Sequence, residues 1–118
     1  MIPLDSIREF CLSFPMTKED IPWEDVLTFK VAGKIFAVVN LDYPHFLSIK
    51  CTTENFDSFL EYEHIKQAPY FARRHWIFID LQQHNDLTAL KDWITESFNL
   101  VIIKTPAKTR IKIEKMLK

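Results

Sequence analysis

The chain has 118 residues, 47% hydrophobic and 14% aromatic, which is the size and apolar content of one globular domain spanning 1–118. Fifteen Lys and Arg against sixteen Asp and Glu leave a net charge of −1, which excludes a histone-like or ribosomal-type basic protein. Apolar runs such as Leu100 to Ile103 fall far short of the roughly 20 residues that cross a bilayer, and the N-terminus lacks the layout of a signal peptide; the expectation is a soluble cytoplasmic protein with no membrane partner.

Between residues 4 and 14, Leu4, Ile7, Phe10, Cys11 and Phe14 recur at helical spacing, with Pro3 tolerated at the start and Pro15 closing the segment. Met16 to Glu24 carries Pro22 and acidic residues and reads as a loop. Leu27, Phe29 and Val31 then alternate with Thr28 and Lys30, the pattern of a half-buried strand. Ala32-Gly33 separates it from the apolar run Ile35 to Leu41, and a glycine able to take positive φ at a two-residue connection signals an antiparallel hairpin. After a turn at Asp42, Tyr43 and Pro44, a third strand from Phe46 to Cys51 places Leu47, Ile49 and Cys51 on one face.

Thr52 or Thr53 caps a second helix whose Phe56, Phe59 and Leu60 point inward. A loop through Pro69 leads to a fourth strand, Trp76 to Leu81, with Asp80 near its end. Asn85 or Asp86 caps the next helix, which buries Leu87, Leu90, Ile94 and Phe98; its β-branched continuation from Val101 to Ile103 is open to helix or strand. Thr105-Pro106 supplies the N-cap and first position of a last helix reaching Lys118. The order α-β-β-β-α-β-α-α, with connections too short to join parallel strands, defines an α+β protein: an antiparallel sheet covered by helices.

Candidate chemistry is sparse. Gly33 is the single glycine, so loops that cradle phosphate through several glycines are excluded. Cys11 and Cys51 lack the spacing of a redox or zinc pair and read as free, buried thiols. His45, His64, His75 and His84 show no i, i+3 or i, i+4 pairing, so no metal and no cofactor is expected. There is no GxSxG, and pairs such as Asp5/Glu9 and Asp92/Glu96 read as solvated charges, so the expectation is a protein without enzymatic activity.

Charge is polarised along the chain. Residues 104–118 hold six basic residues against Glu114, a net +5, which leaves −6 for the rest. A basic last helix suits the negative end of a helix dipole, and equally a phosphate contact surface if Arg73, Arg74 and His75 lie on the same side. Most of the ten Phe, three Trp and three Tyr fall at core-facing positions; Tyr70 and Trp76, which bracket the Arg73-Arg74-His75 triplet, are the candidates for base stacking.

Several segments together resemble the MmcQ/YjbR family of small bacterial proteins: residues 4–15, LDSIREFCLSFP; Thr28-Phe29-Lys30-Val31 with Gly33-Lys34-Ile35-Phe36-Ala37; Ser48-Ile49-Lys50-Cys51; Ala68-Pro69-Tyr70-Phe71-Ala72-Arg73 leading to His75-Trp76-Ile77; and Glu96 to Val101 with Lys104-Thr105-Pro106. The resemblance implies a CyaY-like or secretion-chaperone-like α+β domain, favours helix through Ile103, and implies DNA binding by a double-wing arrangement, with the Gly33 hairpin as one wing. It brings no catalytic residues.

The leading expectation is therefore phosphate-dominated binding of double-stranded DNA, with low sequence specificity, through Lys34, Arg73, Arg74, His75, Lys104, Lys108, Arg110 and Lys112. A second reading is a chaperone-like module that takes a protein partner, suggested by the acidic body. The third has Lys30, Lys50, Tyr70 and Trp76, with Arg73, lining a pocket for a small anion.

Overall fold

The Ala32-Gly33 turn sets the register of the sheet. Both residues take positive φ, 50° and 82°, and Val31 pairs with Lys34 across them, so this is the two-residue primed turn whose twist matches that of its strands. A Cβ at Gly33 would meet nothing within 4 Å, so the demand for glycine there is conformational and not steric.

The computed structural model describes residues 2–23, 25–69 and 75–117. In chain order these form α1 (Leu4–Leu12), β1 (Thr17–Trp23), β2 (Val26–Val31), β3 (Lys34–Asn40), β4 (Phe46–Lys50), α2 (Thr53–Leu60), β5 (Ile65–Gln67), β6 (Trp76–Asp80), α3 (Leu87–Ile102) and α4 (Ala107–Leu117). The strands make one antiparallel sheet in the order β1-β2-β3-β4-β6-β5. The α+β class and the order of the expected elements hold, with two strands added.

Both additions are edge strands. Thr17–Trp23, expected as a loop, pairs with β2 from Thr17 to Asp20 and, past a shift of register, again at Trp23, and β5 is a three-residue strand within the expected loop before β6. An edge strand buries little, so its side chains stay polar: Lys18, Glu19 and Asp20 are all exposed on β1. Proline is tolerated there too, which is why Pro22 does not end the strand. Arg8 of α1 clamps this edge through two hydrogen bonds to Glu19, at 2.7 and 2.6 Å.

One face of the sheet and the helices enclose the core. Leu47 and Ile49 of β4, Ile77 and Ile79 of β6, and Leu90, Ile94 and Phe98 of α3 are all excluded from solvent. Phe14, just past α1, stacks on Phe98 with ring centroids 4.3 Å apart. The caps of α2 and α3 are Thr52 and Asp86, whose side chains accept from the Asn55 and Ala89 amides. Val101 and Ile102 continue α3, because both bury their side chains there. Two inward expectations fail at the periphery: Leu60, last in α2, is 37% exposed, and Leu87 is only half-buried. The Thr105 hydroxyl does not cap α4 either; it donates back to the Ile102 carbonyl at 2.6 Å, and Pro106 stands just outside the helix with its carbonyl accepting from Arg110.

Candidate anion-binding groove

Two local irregularities in the sheet create the site. The first is a bulge between β2 and β3: Phe29 pairs with Ala37, but Lys30 pairs with Ile35, so Phe36 is the extra residue. Its ring turns into the core against Phe98, 5.2 Å between centroids, and Ile35 is set on the opposite side of the sheet with Lys30. The second is a parting of β3 from β4. Their ladder runs through Val39–Leu47, Val38–Ser48 and Ala37–Ile49 and stops before Phe36 and Lys50. The buried Ser97 hydroxyl of α3 fills the gap, accepting from the Lys50 amide at 2.9 Å and donating to the Phe36 carbonyl at 2.7 Å. One side-chain hydroxyl thus satisfies a donor and an acceptor that a closed ladder would have paired.

Where the strands part, a groove of about 720 Å³ opens, lined by Gly33, Lys34 and Ile35 of the hairpin, Lys50 at the end of β4, His75 and Trp76 at the start of β6, Val101 of α3, and Lys104. Lys50 and Trp76 face each other across the β4–β6 ladder. Lys104 follows the last turn of α3, which is tightened by bonds from the Lys104 and Thr105 amides to Val101 and Ile102 and held by the Thr105 hydroxyl. His75 takes φ 79°, a left-handed conformation costing roughly 1–2 kcal/mol for a residue with a Cβ. Its ring meets Phe56 edge to face at 5.6 Å, while its carbonyl accepts from the Cys51 amide at 2.7 Å. Strained backbone of this kind concentrates where a side chain must be presented in a set direction.

Electrostatically the groove is one-signed: among its described lining residues there are three lysines and no carboxylate. Three cations held together in a partly enclosed space favour an anion, because each raises the potential that the others contribute. Among the described lining residues no serine, threonine or cysteine accompanies them. Burial pushes both thiols, Cys11 and Cys51, up to about 12, with Glu96 adding to the effect at Cys51, so neither is a thiolate near neutrality. Among the described residues no group of three or more His, Cys, Asp and Glu is placed to hold a metal ion.

The groove merges two sets of residues that the sequence kept apart. Lys34, His75 and Lys104 come from the expected DNA contacts, and Lys50 and Trp76 from the expected pocket. Trp76 is a core-like ring, 8% exposed. Lys30 does not line the groove: Asp20, across the β1–β2 ladder, draws its amine to 3.3 Å. Lys108 and Lys112 are exposed on α4 and do not line it either. Arg110 pairs with Glu114 at 3.5 Å and borders a second groove of about 490 Å³ with Asn99, Ile102, Ile103 and Leu117. Tyr70, Arg73 and Arg74 lie outside the described residues.

Sequence reasoning missed Ser97 and the His64–His84 pair, whose Nε2 and Nδ1 atoms lie 3.0 Å apart although 20 residues separate them. A serine in the middle of the apolar face of α3 was a signal for the first. No local pattern announced the second.

A six-stranded antiparallel sheet with helices on its core face and a lysine-lined parting between two strands defines a small α+β domain. The chain belongs to the YjbR family, whose model matches residues 12–100. Among solved structures it is similar to the Deinococcus radiodurans protein DR2400, described as a DUF419 domain, at TM-score 0.87 and 22% identity over 97% of this chain and 89% of that one. It is also similar to a structural-genomics target protein from Pseudomonas syringae, at TM-score 0.73 and 22% identity over 84% of this chain and 98% of that one. No curated protein matches it. Among the described residues no helix is long and apolar enough to cross a membrane.

Proposed function

We propose that this protein is a non-enzymatic, cytoplasmic DNA-binding protein that holds the phosphate backbone in the groove between the β2–β3 hairpin and the C-terminal end of α3. The observation that carries this reading is the convergence of Lys34, Lys50 and Lys104, from three separate elements, on a lining whose described residues include no carboxylate. The hairpin serves as a wing in the sense that its turn forms one wall. Binding through lysine ammonium groups positions a backbone without reading bases, so sequence specificity is low.

Fluorescence anisotropy of labelled DNA across a salt series tests it. Three phosphate contacts give a log–log salt slope of roughly −2 to −3. Replacing Lys34 and Lys104 together by Ala lowers the slope by about 2, whereas replacing Lys108, Arg110 and Lys112 by Ala reduces affinity no more than about three-fold. An unchanged slope in the Lys34/Lys104 variant, or no binding at low salt, overturns the reading. Inorganic phosphate as competitor separates DNA binding from capture of a small anion, for which the groove's 720 Å³ is also an ordinary size.

A protein-interaction reading draws support from the second groove, lined by Ile103, 59% exposed, just past α3, and Leu117, 45% exposed, the last residue of α4. A single stoichiometric protein partner recovered without nucleic acid, and lost on replacing Ile103 and Leu117 by Ser, favours it.

A further inference from the structure

Two residues that line the groove, Lys50 and Trp76, belong to the face of the sheet that points away from the helical core. Successive strand residues alternate between faces, so with Leu47, Ile49, Ile77 and Ile79 committed to the core, Phe46, Ser48, Lys50, Trp76, Phe78 and Asp80 take the other side. Val38, Phe46 and Phe78 are neither in the core nor among the hydrophobics packed against it, yet all three are only partly exposed. The β4–β6 ladder arranges this face in three rungs: Lys50 opposite Trp76, Ser48 opposite Phe78, and Phe46 opposite Asp80. Phe46 and Phe78 lie on the diagonal and stack almost parallel, 9° between planes and 4.2 Å between centroids. From the lysine end to Phe46 is four residues of strand, about 13 Å.

We propose that the DNA taken by this groove is single-stranded, its phosphates held at Lys34, Lys50 and Lys104 and its bases laid over the Phe46–Phe78 stack. The proposal rests on the reading of the groove as a phosphate site and adds the class of ligand. A cationic track continuous with partly exposed aromatic rings is the combination that single strands use, because each unpaired base offers a face that extends a ring stack. A duplex keeps its base faces inside its own stack and presents only phosphates to this surface. Charge orients the strand. Asp80, at the far end, keeps its carboxylate on this face, held by Gln82 at 2.7 Å and Gln83 at 3.2 Å, so phosphates are repelled there and favoured at the groove. Lys66, paired with Phe78 from β5 and exposed, supplies a cation at the flank. Ser48 forms the rung between the lysine and the phenylalanines and is itself buried, so the contacts on this face fall to its larger neighbours.

The test compares a labelled 12-nucleotide oligothymidylate with a blunt duplex of the same length, at equal low salt, on the full chain. The expected result is single-strand binding at least about 10-fold tighter than duplex binding. Replacing Phe46 and Phe78 together by Leu, which keeps apolar bulk and removes the ring faces, costs about 10-fold on the single strand and leaves the duplex unchanged. Equal or tighter duplex binding overturns the proposal. So does a Leu variant, folded by circular dichroism, that binds the single strand as the parent does; if the Lys34/Lys104 variant still loses affinity, the groove reading stands without the aromatic platform. Binding of neither probe overturns both. Where the Leu variant does not fold, the ratio of the two affinities in the parent protein decides alone.

Discussion

His64 and His84 share one hydrogen bond in a setting that allows its direction to be worked out. The Asp86 carbonyl, 2.9 Å from His84 Nε2, only accepts, so Nε2 carries the proton and His84 Nδ1 is left as an acceptor for His64 Nε2–H at 3.0 Å. Trp93 and Tyr62 border the pair. Burial first, and then the neighbouring His84, hold His64 below the usual histidine range, with Asp80 opposing them. A histidine whose folded pKa is lowered binds fewer protons than its unfolded counterpart between the two values, so stability is full above about pH 6.5 and is lost as pH falls below it. The melting temperature is expected to be level from pH 8 to 7 and to fall between 6.5 and 5. His64→Gln keeps a donor toward His84 and cannot be protonated, so it flattens that decline; an unchanged slope in the variant places the pH dependence elsewhere. Glu19, held low by its hydrogen bonds to Arg8, acts only in the more acidic carboxylate range.

At the scale of elements, what was legible is what burial or capping writes into local sequence. Alternation announced β2, β4 and β6, the pairs Thr52/Thr53 and Asn85/Asp86 marked two helix starts, of which the fold uses Thr52 and Asp86, and Gly33 marked the hairpin. The edge strands were illegible because a strand paired on one side carries charges where a central strand carries apolar residues, as Lys18 to Asp20 do. The bulge at Phe36 was hidden for a different reason: it is defined by the partner strand's register, which no single stretch of sequence contains. Consequently the groove's members were named as two separate sets, and only the fold joins Lys34 and Lys104 to Lys50 and Trp76. The hairpin also carries a correctable defect. Ala32 at φ 50° sits where this turn prefers Asn or Gly, so Ala32→Asn removes a left-handed alanine and is expected to raise stability by about 0.5–1 kcal/mol, read by chemical denaturation. A loss of stability would mean that the alanine methyl makes a contact the turn geometry does not reveal.

Over the whole molecule the charges oppose one another, +5 on residues 104–118 against −6 on the remainder. A polyanion approaching from a distance meets a nearly neutral particle and is steered only if it arrives on the side of the basic segment. Among the described residues of that segment only Lys104 lines the groove, while Lys108 and Lys112 are exposed beyond it and Arg110 is paired to Glu114. The division of labour that follows is kinetic. Charges outside the contact set how often DNA arrives, and charges in the groove set how long it stays. Replacing Lys108, Arg110 and Lys112 by Ala takes the formal net charge from −1 to −4, so the association rate at low salt is expected to fall about two- to three-fold with the dissociation rate unchanged. The difference should vanish near 0.15 M salt, where the screening length is about 8 Å. The Lys34/Lys104 variant behaves in the opposite way, dissociating faster at every salt concentration. Stopped-flow measurement of both variants separates the two roles, and a triple variant whose dissociation rate rises would move the contact surface from the groove to α4.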